Sequence, residues 1–130
     1  MKHLTPLETW QYLQAQPDAL FVDVRMEIEY LYVGHPPGVV HIAWYEYPEM
    51  QAHPERFVEQ VRREASGTDR PVVLICRSGK RTIVAGQALE AAGVAEVVNG
   101  LHGFEGELDD HFQRGRSIGW RHDGLPGEQR

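Results

Sequence analysis

The amino-acid sequence predicts one α/β domain built around an open parallel β-sheet. Three short, mostly apolar runs at residues 20–24, 39–43 and 72–75 have the length and composition of strands buried on both faces. Segments with helical signals lie between them, so strands and helices alternate as they do in βα units. Because 130 residues suffice for one core but not comfortably for two, we expect a single domain over residues 1–130.

The predicted elements follow one another between recognisable boundary signals. Thr5, Pro6 and Glu8 have the spacing of an N-cap, a first-turn proline and a capping box, which predicts a helix start. That helix should end near Pro17. Prolines and glycines mark most later boundaries. After the strand at 20–24, we predict a helix at 27–32, a strand at 39–43, a helix from 54 to about 66, a strand at 72–75, a helix at 82–92 and a strand at 95–98.

Composition and charge exclude several classes of protein. The net charge is −6, whereas a general nucleic-acid binder needs a basic face. No apolar run approaches the roughly 20 residues of a membrane helix, and the N-terminal residues lack the apolar stretch of a secretion signal. These features predict a cytoplasmic protein without nucleic-acid or membrane partners.

Cys76 is the only cysteine of the chain. A single cysteine excludes an internal disulfide, an internal dithiol pair and a cysteine-based metal cage. No two histidines have the i, i+4 spacing of a helical zinc site. We therefore expect no metal and no cofactor, and we expect Cys76 to act alone or with a thiol of another molecule.

The position of Cys76 predicts an active site. It follows the strand at 72–75 and precedes the helix that begins at Thr82. The carboxyl ends of strands are where open α/β sheets hold their ligands. Gly79 permits a tight loop whose backbone N–H groups can converge on an anion, and the helix N-terminus that follows adds partial positive charge.

Three cationic residues follow this cysteine closely in sequence: Arg77, Lys80 and Arg81. Their charges should lower the pKa of the thiol from its reference of about 8.5 and stabilise anionic intermediates. The alternative is an inert buried cysteine that packs as a small apolar residue. The cations, the glycine and the strand-loop-helix setting together favour a reactive thiol.

Four stretches resemble segments of the rhodanese family, in the family's order along the chain. They are Asp23-Val24-Arg25-x-Glu27, Gly34-His35-x-Pro37-Gly38, the active-site loop Cys76-Arg77-Ser78-Gly79-Lys80-Arg81-Thr82, and the closing Gly119-Trp120 with Gly124-Leu125-Pro126. Each stretch alone is weakly to moderately specific, but four in order, over about residues 4–126, make a strong resemblance.

The resemblance implies the rhodanese-like fold, an open five-stranded parallel sheet with helices on both faces. It implies that Cys76 carries the sulfur and that the following loop binds substrate through Arg77, Ser78, Gly79, Lys80 and Arg81. Arg25 is a further candidate for substrate contact, although the family uses this segment mainly as a brace. His102, after the last strand, is another candidate. Trp44, Tyr45 and Tyr47 are candidates for one wall of the pocket.

The implied function is transfer of sulfane sulfur from a small anionic donor to cyanide or a thiol, through a persulfide on Cys76. The cationic loop fits thiosulfate better than mercaptopyruvate, whose users carry a small neutral loop. Four residues separate Cys76 from Arg81, one fewer than in the related cell-cycle phosphatases. This shorter loop favours sulfur over phosphate transfer.

Three alternatives stay open. The domain could be a sulfur-relay or persulfide-carrier module with protein donors and acceptors. It could be a phosphatase or an arsenate reductase on the same scaffold, which the short loop disfavours. It could be a non-catalytic binding domain, which the intact cysteine and basic loop disfavour. Residues 105–130, in which Trp120 comes later than in typical members, predict an irregular C-terminal extension that packs over the domain.

Overall fold

The structure is a computed structural model that describes residues 1–32, 34–46, 48–67, 69–76 and 81–101. Its strands are β1 (Lys2–Leu4), β2 (Leu20–Asp23), β3 (Val40–His41), β4 (Val72–Ile75) and β5 (Val97–Gly100). Its helices are α1 (Pro6–Ala15), α2 (Glu27–Tyr32), α3 (Pro54–Glu64) and α4 (Arg81–Ala91). The predicted extension at 105–130 lies outside the described residues.

The five strands form one parallel sheet in the order β1-β5-β4-β2-β3. The central strand β4 pairs with β2 on one side and with β5 on the other. Every residue of β2, β4 and β5 is buried, which explains their nearly continuous apolar sequences. The predicted open parallel sheet is confirmed.

Alternate residues of the central strands pack into two cores, one on each face of the sheet. Val22 and Leu74 pack with residues of α3 and α4, whereas Phe21 and Val73 pack with residues of α1. This alternation follows from the two-residue period of a strand. Helices therefore cover both faces, as expected for the predicted fold class.

The predicted start of α1 is confirmed in detail. The Thr5 hydroxyl accepts a hydrogen bond from the Glu8 backbone N–H at 3.2 Å, and the Glu8 carboxylate accepts one from the Thr5 N–H at 2.9 Å. This reciprocal capping box satisfies two N–H groups that a helix start leaves without intrahelical partners. Pro6 occupies the first turn, where its missing N–H costs nothing.

The structure differs from the sequence-based expectation at three strands. The edge strand β1 was not predicted, because only Leu4 of its three residues is strongly apolar. The predicted strand at 39–43 shortens to the two residues of β3, and the one predicted at 95–98 shifts to 97–100. The shift places Asn99 inside β5. None of the helices in the described part of the chain is long and apolar enough to cross a membrane.

Candidate active site

Cys76 lies directly after β4, at the carboxyl end of the central strand. Its side chain is fully buried and belongs to the core on the α3 and α4 face of the sheet. The residues that follow it in sequence, Arg77, Ser78, Gly79 and Lys80, lie outside the described residues, as does His102. The loop cradle and the role of His102 therefore stay predictions.

Arg81 is the first residue of α4, one position earlier than the predicted helix start. Its guanidinium donates to both carboxylate oxygens of Glu29, at 2.7 and 2.9 Å. The two side chains are largely buried, with 15% of Arg81 and 9% of Glu29 exposed. The guanidinium carbon also lies 5.5 Å from the centre of the Tyr45 ring, within range of a cation–π contact. Arg81 is thus a paired charge at the head of its helix.

Glu29 is the residue of this site that sequence reasoning missed. It lies in α2, and 52 positions along the chain separate it from Arg81. Its carboxylate also accepts a hydrogen bond from the Met26 backbone N–H at 3.0 Å, which orients it at the start of the helix. Nothing in the spacing of a short acidic helix indicates a partner so distant in sequence. Only the meeting of α2 and α4 reveals the pair.

The protonation of this ion pair follows from its surroundings. Burial by itself would raise the pKa of the Glu29 carboxyl. The hydrogen bonds and charge of Arg81 oppose this effect, as do the Met26 N–H and the charge of Arg25, so the pKa of Glu29 is lowered overall. Burial would lower the pKa of Arg81, but Glu29 and the negative charges available at Cys76 and Tyr45 raise it overall. Arg81 therefore lies within electrostatic range of Cys76, the other predicted site residue that the structure describes.

The substitution Glu29→Gln should flatten the dependence of stability on pH in the acid range. Because the pKa of Glu29 in the folded protein lies below its ordinary value of 4.5, the carboxylate stabilises the fold fully above that value. This contribution is lost as the pH falls through the folded pKa. Urea unfolding at a series of pH values below 5 should show a steeper loss of stability in wild type than in Glu29→Gln. Equal slopes would contradict the lowered pKa.

Asp23 and Arg25 form a buried ion pair beside this site. The Arg25 guanidinium donates to both Asp23 oxygens, with the shortest of these contacts at 2.6 Å, and to the carbonyl of Gly34. Both side chains of the pair are fully buried. The pair ties the end of β2 to the turn after α2, at Gly34, whose φ of 102° favours glycine. This burial fits the bracing role that the resemblance implies for Arg25, and its contact with a substrate stays a prediction.

Aromatic stacking holds the rest of that turn. The ring of Tyr30 lies between those of His35 and His41, with centroid distances of 3.9 and 4.6 Å. His35 is buried and His41 contacts the carbonyl oxygen of Arg25 through Nε2 at 2.7 Å. The two histidines are therefore part of the packing of the turn and of the edge strand.

A polar network anchors the first turn of α4 to the sheet. The hydroxyl of Thr82 donates to the side-chain oxygen of Asn99 in β5, and the Asn99 amide nitrogen lies 3.1 Å from Nδ1 of His3 in β1. Thr82 and Asn99 are fully buried, so each polar group needs such a partner. The network fixes the position of the helix start that follows the Cys76 loop.

A cavity of about 530 Å³ lies between α3 and the segment that follows β3. Trp44 and Tyr45 both line it, although Trp44 is mostly a core residue that packs edge-on against Phe57 at 5.2 Å. Tyr47 lies outside the described residues. Tyr45 reaches both the cavity and Arg81, so the cavity adjoins the predicted site at this ring.

The described part of the chain contains no recognisable metal site. There, no group of three histidine, cysteine, aspartate or glutamate side chains is arranged to hold a metal ion. The chemistry available at the site is that of a thiol at a strand end, a guanidinium held by a carboxylate and a phenol beside the guanidinium.

The sequence profile of the rhodanese-like domain matches residues 5–107. The chain belongs to the rhodanese-like domain family. A similar solved structure is that of Rv0390 from M. tuberculosis, with 37% identity, a TM-score of 0.85 and coverage of 100% of this chain and 98% of that chain. A solved structure of nearly the same length therefore shares the fold of this chain.

Two further relatives have names that state an activity. The adenylyltransferase and sulfurtransferase MOCS3 of Drosophila persimilis is 27% identical over 109 residues, which are 81% of this chain and 23% of that protein. The thiosulfate sulfurtransferase of Pseudomonas aeruginosa is 24% identical with a TM-score of 0.69, and the match covers 99% of this rhodanese-like chain and 20% of that chain. This chain therefore spans about a quarter of the curated relative it matches.

Proposed function

We propose that this rhodanese-like domain is a sulfurtransferase that carries sulfane sulfur as a persulfide on Cys76. The observation that carries the proposal is the position of Cys76 at the carboxyl end of the central strand, with Arg81 within electrostatic reach at the head of the next helix. Membership of the rhodanese-like family and the names of the two relatives support the same chemistry.

The proposed reaction has two half-reactions, with thiosulfate as the donor. The Cys76 thiolate attacks the outer sulfur of thiosulfate; a new S–S bond forms as the donor's S–S bond breaks, and sulfite leaves with the electron pair. Cyanide or a thiolate then attacks the terminal sulfur and releases Cys76 as the thiolate. Electrons balance within each step, so no external oxidant is needed. The covalent intermediate should give ping-pong kinetics.

Thiosulfate is our preferred donor because the sequence around the site is cationic. Arg77 and Lys80 add formal positive charge next to Cys76 in sequence, and a doubly charged donor gains more from such charge than a singly charged one. The four-residue spacing between Cys76 and Arg81 supports sulfur transfer over phosphate transfer, because the loop it predicts is shorter than a phosphatase loop.

A sulfur-relay module is the second candidate. The chain matches a part, 23%, of a larger protein whose name combines two activities, adenylyltransferase and sulfurtransferase. As a relay, this domain would accept sulfur from one protein thiol and pass it to another. The relay would form the same Cys76 persulfide but would use thiosulfate poorly.

Intact mass measurement tests the proposal directly. Wild-type protein incubated with thiosulfate should gain the mass of one sulfur atom, and peptide mapping should place it on the peptide that contains Cys76. Cyanide should remove the added sulfur and yield one equivalent of thiocyanate. A protein that gains no sulfur from thiosulfate or from a protein persulfide would refute the proposal. Sulfur gained only from the protein persulfide would favour the relay, and hydrolysis of an aryl phosphate would favour phosphatase chemistry.

A further inference from the structure

The charge of Arg81 at the proposed site is offset in a way that the loop sequence alone does not indicate. Two guanidiniums, those of Arg25 and Arg81, are each paired with a carboxylate, from Asp23 and Glu29. The formal charges of these four described groups cancel. Arg81 therefore offers an anionic donor much less net attraction than its position in a cationic loop predicts.

Of the two carboxylates, Glu29 is the one that pairs with Arg81, the residue within electrostatic range of Cys76. It contacts Arg81 through both oxygens, and the charge of Arg25 also acts on it. Among the described residues, two other titratable groups act on Arg81: the Tyr45 phenol, from the segment after β3, and Cys76, directly after β4. Among these groups, only Glu29 is a carboxylate in contact with the Arg81 guanidinium.

The geometry of the Glu29–Arg81 pair both orients the Arg81 guanidinium and offsets its charge. A bidentate contact between a guanidinium and a carboxylate fixes the plane of the guanidinium as well as its distance. Arg81 begins α4, and Thr82 next to it is tied to Asn99 in β5. The sheet therefore fixes the backbone at the start of α4, and Glu29 fixes the guanidinium of Arg81.

We propose that Glu29 is a positioning residue that also sets the donor preference of the site. It holds the Arg81 guanidinium in place and offsets its charge, so the site discriminates less strongly between doubly and singly charged sulfur donors. The inference rests on the proposed sulfurtransferase function and adds to it a residue that governs donor specificity. Removal of the Glu29 charge should shift the preference toward the doubly charged donor.

Two donors that differ by one charge make the proposal measurable. Thiosulfate is a dianion, whereas benzenethiosulfonate is a monoanion with the same transferable outer sulfur. One extra unit of positive charge near the donor stabilises the dianion more than the monoanion. In water-like surroundings at about 6 Å this amounts to roughly a threefold preference, and it grows at shorter distances and where the site excludes water.

The first test compares the ratio of kcat/KM for thiosulfate to that for benzenethiosulfonate in three proteins. Glu29→Gln keeps the shape of the side chain and removes its charge, so the ratio should rise about threefold or more at low salt and fall toward that of wild type as salt screens the charge. Glu29→Asp keeps the charge on a shorter side chain, so its ratio should stay near that of wild type even if both rates fall. Glu59→Gln, in an exposed ion pair with Arg63, is the matched control and should leave both rates unchanged.

A second comparison keeps the proposal testable if Glu29→Gln folds poorly. In Arg81→Gln the Glu29 carboxylate loses its partner and should repel thiosulfate more than benzenethiosulfonate. Adding Glu29→Gln removes that repulsion, so the double variant should use thiosulfate about threefold better than Arg81→Gln alone. The double variant contains no buried unpaired charge at this position, which favours folding.

The outcomes separate this inference from the proposed function. If wild type forms the Cys76 persulfide but the donor ratio is unchanged in Glu29→Gln and the double variant is no better than Arg81→Gln, Glu29 has only a structural role and the inference is wrong. If wild type takes sulfur from neither of these donors nor from a protein persulfide, the proposed function itself fails. A rise of the ratio in Glu29→Gln, suppressed by salt, would support the inference.

Discussion

The variant Cys76→Ser should lose thiosulfate:cyanide sulfurtransfer by at least about 10³-fold, which is the scale on which removal of a covalent nucleophile acts. A serine hydroxyl cannot accept the outer sulfur of thiosulfate as a persulfide. With no carrier, the first half-reaction has no product. The rate of thiocyanate formation, measured with varied thiosulfate and cyanide, should give parallel double-reciprocal lines in wild type and a signal close to the uncatalysed rate in the variant.

Stability controls are needed for this comparison because Cys76 is fully buried. A serine hydroxyl at this position costs free energy unless it finds a hydrogen-bond partner. Cys76→Ala avoids that cost and should be equally inactive, so the two variants together separate chemistry from folding. Thermal unfolding of both should show folded protein at the assay temperature. Substantial thiocyanate formation by a folded Cys76→Ala protein would contradict the proposed mechanism.

Asp23→Ala should destabilise the fold by about 3–5 kcal/mol, because it removes one partner of a buried ion pair and leaves the charge of Arg25 in the interior. The Asp23 carboxylate contacts both the guanidinium and the backbone N–H of Arg25, the latter at 3.0 Å. Urea unfolding should show a lower midpoint with an unchanged m-value.

Two further variants make this stability prediction specific. Asp23→Ala/Arg25→Met removes both charges and fills most of the space, so it should recover a large part of the lost stability. Glu59→Ala breaks an ion pair whose side chains are 70% exposed and should change the free energy of unfolding by less than about 1 kcal/mol. An effect of Asp23→Ala as small as that of Glu59→Ala would mean that the buried pair contributes little.

The order of most elements could be predicted from local sequence because local physics determines it. Each signal can be recognised from a few neighbouring residues: apolar runs of strand length, a capping box at Thr5, and prolines or glycines at boundaries. The edge strand β1 was missed for the same reason. It has little apolar sequence of its own, and it is a strand because its backbone pairs with β5.

The candidate site divides in a similar way. Cys76 could be singled out from its place after a buried strand and before a helix, and the family resemblance named the chemistry. The loop residues Arg77, Ser78, Gly79 and Lys80 remain predictions from that resemblance. Arg81 was predicted as a cation of the loop, but its partner was not predictable, because the pairing depends on how α2 packs near the start of α4.

The sequence alone determined that this chain is an α/β domain with one cysteine at a strand end, because periodicity, turn residues and the cysteine count are properties of neighbouring residues. Only the tertiary structure decided which of the described charges near that cysteine are paired. It buried Arg25 against Asp23 and paired Arg81 with Glu29, which lies 52 positions away. Electrostatic energy depends on distance in space and on burial, and neither can be read from positions along the chain.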